Sequence, residues 1–237
     1  MVTAPFFSLK NVPQRVKVGL AICLSMILFS ILPYEEFVYD TLIDYAGMVL
    51  TEMLAGVIMG FFANVAYFIL SFAGQVIDIE IGFSMANEFD PITSSQITIT
   101  GNLYMYAVML MLVITDMHHY IIKALVDSFT ILPVGTVVIN PNIYHLMKIF
   151  ITDYFVLGFR IVLPMFAAIL VVYVILAILA KVAPQMNMFV IGMQLKIFVG
   201  FIVLIIMFLM LTGVTDAVFN EMIHLIKNAV QYLAVGS

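Results

Sequence analysis

The 237 residues are 65% hydrophobic and 10% charged, with a mean hydropathy of +1.19. An ordinary soluble domain carries roughly 25% charged residues, so this composition excludes a water-soluble fold and points to an all-α, multi-helix integral membrane protein. The net charge of -5, with nine dispersed Lys and Arg, offers no basic patch for nucleic acid. A single cysteine, Cys23, excludes an internal disulfide and a zinc site built from cysteines.

The first seven residues are short, lack a basic opening and run into Lys10, Arg15 and Lys17, the wrong charge order for a cleavable signal. They read as the tail of a helix, which leads to the expectation that an apolar segment of about 20 residues precedes them. The basic trio stands before the apolar run 18–34, and Glu35, Glu36, Asp40 and Asp44 follow it. Positive charge favours the cytoplasmic side, so residues 10–17 are expected there. Farther on, single charges at Lys123, Lys148, Arg160, Lys181, Lys196 and Lys227 leave the orientation open.

Further uncharged runs cover 53–77, 91–115, 161–180 and 197–215, several reaching the ~20 residues of a spanning helix. Within the first, Gly56 and Gly60 form a small-xxx-small pair, a pattern that brings helix backbones together and is read here as ordinary internal packing. Gln75 and Asp78 then introduce polar groups on one helical face. The segment 82–96 mixes Gly82, Phe83, Met85, Asn87, Glu88, Phe89, Asp90 and Pro91. A helix-breaking polar segment between apolar runs is tolerated only inside protein or along a wet path, which makes it the leading functional candidate. The nearest cations in sequence are Lys17 and Lys123. Asp78, Glu80, Glu88 and Asp90 therefore read as the lining of a water-filled vestibule rather than an ion-coupling site. Phe83, Met85 and Phe89 read as deformable apolar stoppers.

A helix is expected over 101–116, then an amphipathic stretch through His118 and His119 to Phe129, broken at Pro133, Val134 and Gly135. Pro141 suits the first turn of the next helix. A long apolar helix over 154–180 contains Pro164, which should kink it. After a break at Ala183, Pro184 and Gln185, Gly192 and Gly200 lie eight residues apart on the following helix. Adjacent histidines project about 100° apart on a helix, unlike the i, i+4 pair of a metalloprotease, so His118 and His119 read as structural or interfacial and no metal is expected. Phosphate-loop, nucleophile-elbow and dinucleotide motifs are absent from the sequence. An enzyme reading has no named nucleophile or base, and no cofactor is expected. No internal repeat of the kind a transporter would show is visible. The chain reads as one domain over 1–237.

Several of these residues fall in a familiar order. Ala4-Pro5-Phe6-Phe7 with Pro13, Gln14, Arg15 and Lys17, then Ile81 to Ala86 with Asp90-Pro91, then Asp127-Ser128-Phe129 with Pro133 and Gly135, then Pro184-Gln185 leading to Phe189 and Gly192, together cover nearly the whole chain. This set resembles the FliR family, the R subunits of the flagellar type III export gate. The resemblance implies a single-copy, non-enzymatic subunit that assembles with P and Q subunits, with the B subunit attached, in the cytoplasmic (inner) membrane at the flagellar basal body. It would help to form and close a channel for unfolded flagellar proteins. It also implies kinked helices and helical hairpins around a central polar loop, with residues 1–150 P-like and 151–237 Q-like. The pore plug of the family maps to residues 81–97, hence to Gly82, Phe83, Met85, Glu88, Phe89, Asp90 and Pro91. Where relatives carry bulky aromatics in the plug, this chain has Met85 and Glu88, and Phe89 is displaced by one position. The homologous subunit of a virulence injectisome and an ion-coupled membrane transporter are the alternatives, and lipid is an expected contact.

Overall fold

The computed structural model describes residues 13–31, 39, 41–83, 98–138, 141 and 143–234. Every regular element among them is a helix: α1 (Gln14–Ile31), α2 (Leu42–Ala63), α3 (Val65–Ile81), α4 (Ile99–Ile114), α5 (Met117–Ile131), α6 (Ile143–Val182), α7 (Met188–Leu209) and α8 (Leu211–Leu233). Gln14–Ile31, Leu42–Ile81, Ile143–Val182 and Met188–Leu209 are each long and apolar enough to cross a membrane, and α4 with α5 makes a fifth if that broken pair counts as one span. At 1.5 Å per residue the 40-residue α6 is about 60 Å long, twice the ~30 Å of a hydrocarbon core.

The chain divides into two compact units, each assembled from separate stretches of sequence. One comprises residues 1–67, 112–153 and 218–237. Its α2 starts with a reciprocal cap: the Asp44 N–H donates to Thr41 Oγ1 at 3.3 Å, and the Thr41 N–H donates to Asp44 Oδ2 at 3.1 Å. Two of the otherwise unpartnered first-turn donors are satisfied in this way. The turn after α5 docks on α2, because Gly135, at φ 87, presents its N–H to Glu52 Oε1 at 2.7 Å. Ala55, Leu132, Val137, Val230 and Leu233 form the apolar cluster beneath that turn. The Val138 N–H donates to the Leu233 carbonyl at 3.2 Å, which closes α8 onto the same cluster. Phe61 and Phe62 meet Phe150 edge to face.

The other unit comprises Phe68–Met111 and Tyr154–Ala217. Here α3 buries Ile69, Ala73, Ile77 and Ile81, one residue every four, so a single stripe faces the core. The Phe72 ring meets Tyr154, Phe155 and Phe159 on α6, where Gly158 leaves the room it occupies. Helices α6 and α7 pair through Gly192 against Leu176, and through Lys196, whose Nζ donates to Tyr173 Oη at 2.6 Å.

Three features differ from the sequence reading. The apolar run 53–77 is interrupted at Asn64, between α2 and α3, and the run 197–215 at Met210, between α7 and α8. Hydropathy does not register a one-residue break whose flanks stay apolar. Helix α6 starts at Ile143 rather than at 154, and Pro164 lies inside it. The ring of Pro164 lies on an exposed face, while Val162, Met165, Ile169 and Val172 on the other face are buried. Proline removes one N–H from the ladder, here the partner of the Arg160 carbonyl, and packing along the apolar stripe carries the helix past it.

Candidate functional site

The residues that flank the polar segment converge on one side chain. At the end of α3, Gly82 adopts φ 97, a left-handed conformation that costs glycine no Cβ clash. The Gly82 N–H reaches the Ile79 carbonyl at 3.2 Å, and the Phe83 N–H reaches the Asp78 carbonyl at 2.8 Å. This pair of bonds is the Schellman arrangement, and it satisfies carbonyls that a helix end leaves open. The chain therefore leaves α3 at a defined angle just before residues 84–97.

It returns at Thr98, whose carbonyl accepts from the Asn102 N–H at 3.0 Å to open α4. A helix start leaves four N–H groups without intrahelical partners. One of them, on Thr100, donates to the Asp78 carboxylate, 3.1 Å to Oδ1 and 3.3 Å to Oδ2. Asp78 is 4% exposed and Thr100 is 1% exposed, so the bond is shielded from water. A carboxylate at a helix N-terminus also gains from the macrodipole. Asp78 thus holds both ends of the polar segment, one through its main-chain carbonyl and one through its carboxylate.

Glycines allow this approach. A Cβ placed on Gly74 would collide with the backbone of Gly101, and one on Gly101 with the Thr98 side chain. Helices α3 and α4 therefore touch backbone to backbone one turn from the Asp78 bond. From α7, Gly200 lies against Ile81, where an added Cβ would stand 2.8 Å from Ile81 Cγ1. Next to it the Phe201 ring meets Phe83 with centroids 5.7 Å apart. The end of α3, the start of α4 and the middle of α7 thus meet in a base at the described residues that flank 84–97.

Of the residues singled out in the sequence, Gly82 and Phe83 belong to this base, while Met85, Glu88, Phe89, Asp90 and Pro91 lie outside the described residues. Gly192 and Gly200 both make close helix contacts. Gly60 is buried, whereas Gly56 is exposed with open space where a Cβ would stand. Pro13 caps α1 through its carbonyl, which accepts from the Val16 N–H at 3.0 Å, and Arg15 is exposed in the first turn. Lys17, half-buried, lies one turn along. Pro184 sits in the exposed turn between α6 and α7, and Phe189 is 64% exposed with its N–H capped by Asn187 Oδ1 at 3.1 Å. Asp78 does not line a wet path, being enclosed and engaged as a cap. Sequence reasoning missed Gly74, Thr100 and Gly101. The available signal was two glycines flanking the polar segment, one about two turns before the end of α3 and one in the first turn of α4.

The chain matches the model of a protein family described as "Bacterial export proteins, family 1" over residues 1–222. It is 31% identical over 243 residues to the "Flagellar biosynthetic protein FliR" of Bacillus subtilis (strain 168), an alignment covering 99% of this chain and 92% of that protein. Similarity to the proteins of the same name from Escherichia coli (strain K12) and Aquifex aeolicus (strain VF5) is 26% and 25%, over 98% and 97% of this chain and 88% of each relative. With a family match over residues 1–222 and relatives aligned almost end to end, the chain belongs to the bacterial export proteins of family 1.

Proposed function

We propose that the chain is the R-type membrane subunit of a flagellar type III protein export gate, helping to form the channel for unfolded flagellar proteins and to hold it shut at rest. The observation that carries this reading is the base at the residues that flank 84–97, in a chain whose curated relatives are flagellar biosynthetic proteins over almost their whole length. A plug must be held at both ends if it is to seal, and Asp78 does that. The segment carries Met85 and Phe89, apolar side chains able to fill an irregular constriction and exclude water and ions. The mechanism asks for no catalytic group.

The partners in this reading are P and Q subunits, an attached B subunit and lipid of the cytoplasmic membrane. Support comes from apolar surface the chain leaves uncovered, including Val16, Val18, Ile22, Met26 and Ile27 on α1 and Ile202, Ile205, Ile206 and Leu209 on α7. A contiguous exposed apolar face marks a protein or membrane contact. Co-expression with P and Q subunits should give a defined complex holding one copy of this chain, while the chain alone should be heterogeneous. A stable, monodisperse homo-oligomer formed without partners would contradict the proposal.

A further inference from the structure

Helix α5 starts from a residue held in a disfavoured backbone conformation. Asp116 precedes Met117 with φ 55 and ψ 15, and it is the one non-glycine residue with positive φ among the described residues. An aspartate at this position ordinarily turns its carboxylate onto a first-turn N–H, and Asp116 makes no such bond. Instead its Oδ1 lies 3.7 Å from Nδ1 of His119. The His118 and His119 rings approach to 4.1 Å between centroids at an interplanar angle of 37°. His118 Nδ1 is buried without a hydrogen-bond partner. One donor atom from each of Asp116, His118 and His119 falls within 4.8 Å of the other two. The Cβ directions of neighbouring helical residues diverge, as the sequence spacing implies, yet the side chains keep the three donor atoms this close.

We propose that Asp116, His118 and His119 bind a single divalent late transition metal ion, Zn2+ foremost, with the remaining positions filled by water. Two imidazole nitrogens and a carboxylate oxygen suit zinc, copper or nickel rather than magnesium or calcium. Tetrahedral bonds of roughly 2.0–2.1 Å set ligand atoms about 3.4 Å apart. The present spacing therefore has to contract by about an ångström or so. The side chains of Asp116 and His119, 76% and 68% exposed, have the freedom to do it. The positive pole of a helix N-terminus opposes a cation, and the carboxylate that does not cap the helix supplies the compensating charge. One ion would give the Asp116 carboxylate, which makes no cap bond, a partner. Bound there, it would fix the start of α5 relative to the preceding turn.

The test uses untagged full-length chain, purified with its P and Q partners, titrated with Zn2+ against a chromophoric chelator and separately with Co2+ to read d–d bands. Wild type should bind one more equivalent than the variants and show the cobalt bands. His118→Ala should weaken that equivalent by roughly tenfold or more, at least the scale seen on losing an outer-shell partner. Asp116→Gly accommodates φ 55 without strain, so it should preserve the fold and lose the metal, which separates ligand loss from misfolding. His145→Ala and His224→Ala should bind as wild type does. Absence of a saturable equivalent in wild type, or an equivalent unchanged by Asp116→Gly or His118→Ala, would overturn the proposal.

Discussion

Helices α1 and α3 are nearly equal in length, 18 and 17 residues, and both are strongly apolar, yet one has no buried residue while the other forms the core of its unit. Phe29 and Met26 of α1 are 74% and 66% exposed, whereas Ile69, Ile77 and Ile81 of α3 are fully buried. The difference lies in what the small and polar residues meet. Helix α3 carries Ala73, Gly74 and Asp78 at its contacts, small or polar groups that admit a neighbouring backbone and bind it at one place. Helix α1 has small residues too, but Gly19 has open space where a Cβ would stand, and Val16, Val18, Ile22, Met26 and Phe29 are exposed. Hydropathy says that a helix avoids water, and the contacts its small and polar residues make show where its cover comes from its own chain.

The contrast can be broken most severely at Gly74. Gly74→Val places branched carbon where the Gly101 backbone stands. Overpacking ordinarily costs ~1–3 kcal/mol and more where the obstacle cannot move. The variant should lose protease resistance in residues 68–111 and fail to enter the complex. Asp78→Ala comes next. It strands the buried Thr100 N–H, at about 1–3 kcal/mol, and should lower the unfolding temperature while Asp78→Asn, which keeps an acceptor, loses less.

A smaller, pH-dependent effect is expected at Glu221 on α8, a polar group that burial treats unlike Asp78. Burial first, and then the neighbouring Asp153 carboxyl through its charge and a hydrogen bond, push Glu221 from an ordinary value of 4.5 up to about 7. The folded chain holds this proton more tightly than the unfolded chain. The associated stability is therefore complete below about pH 4.5 and is lost as pH rises through 7. Glu221→Gln should flatten the unfolding temperature across that window and exceed wild type above it, as differential scanning fluorimetry would record. The smallest effects belong to exposed positions. Gly56→Ala and Met26→Ala should stay within ~0.5 kcal/mol for the chain itself, yet Met26→Ser with Phe29→Ser should reduce the yield of complex with P and Q partners. A change in the chain's own stability from that pair would mean that α1 packs internally.

Much of the helical pattern was legible in the sequence because its breaks carry proline or glycine: Pro133 to Gly135 ends α5, Pro141 precedes α6, and Pro184 separates α6 from α7. Asn64 and Met210 carry no such mark and sit in continuous apolar runs. Their turns depend on tertiary packing, to which a hydropathy window is blind. The polar segment stands out in the sequence because its composition conflicts with its surroundings, and residues 84–97 lie outside the described residues. The base at its flanks does not, since a bond between Asp78 and Thr100 joins residues 22 apart in sequence, and the meeting of Gly74 with Gly101 joins two glycines that are unremarkable one at a time. The histidine pair is the converse case: spacing argued against a shared ligand, while donor atoms of Asp116, His118 and His119 lie within 4.8 Å of one another, which is the ground of the metal proposal.

The proposed seal by residues 84–97, held at Asp78, is tested most directly by conductance. The complex of this chain with P and Q subunits should be reconstituted in a planar bilayer, with wild type compared against the Met85→Ala, Phe89→Ala double variant. Wild type should stay closed, and the variant, assembled in equal yield, should conduct small ions because the apolar filling is gone. An assembled double variant that remains as tight as wild type would contradict the seal.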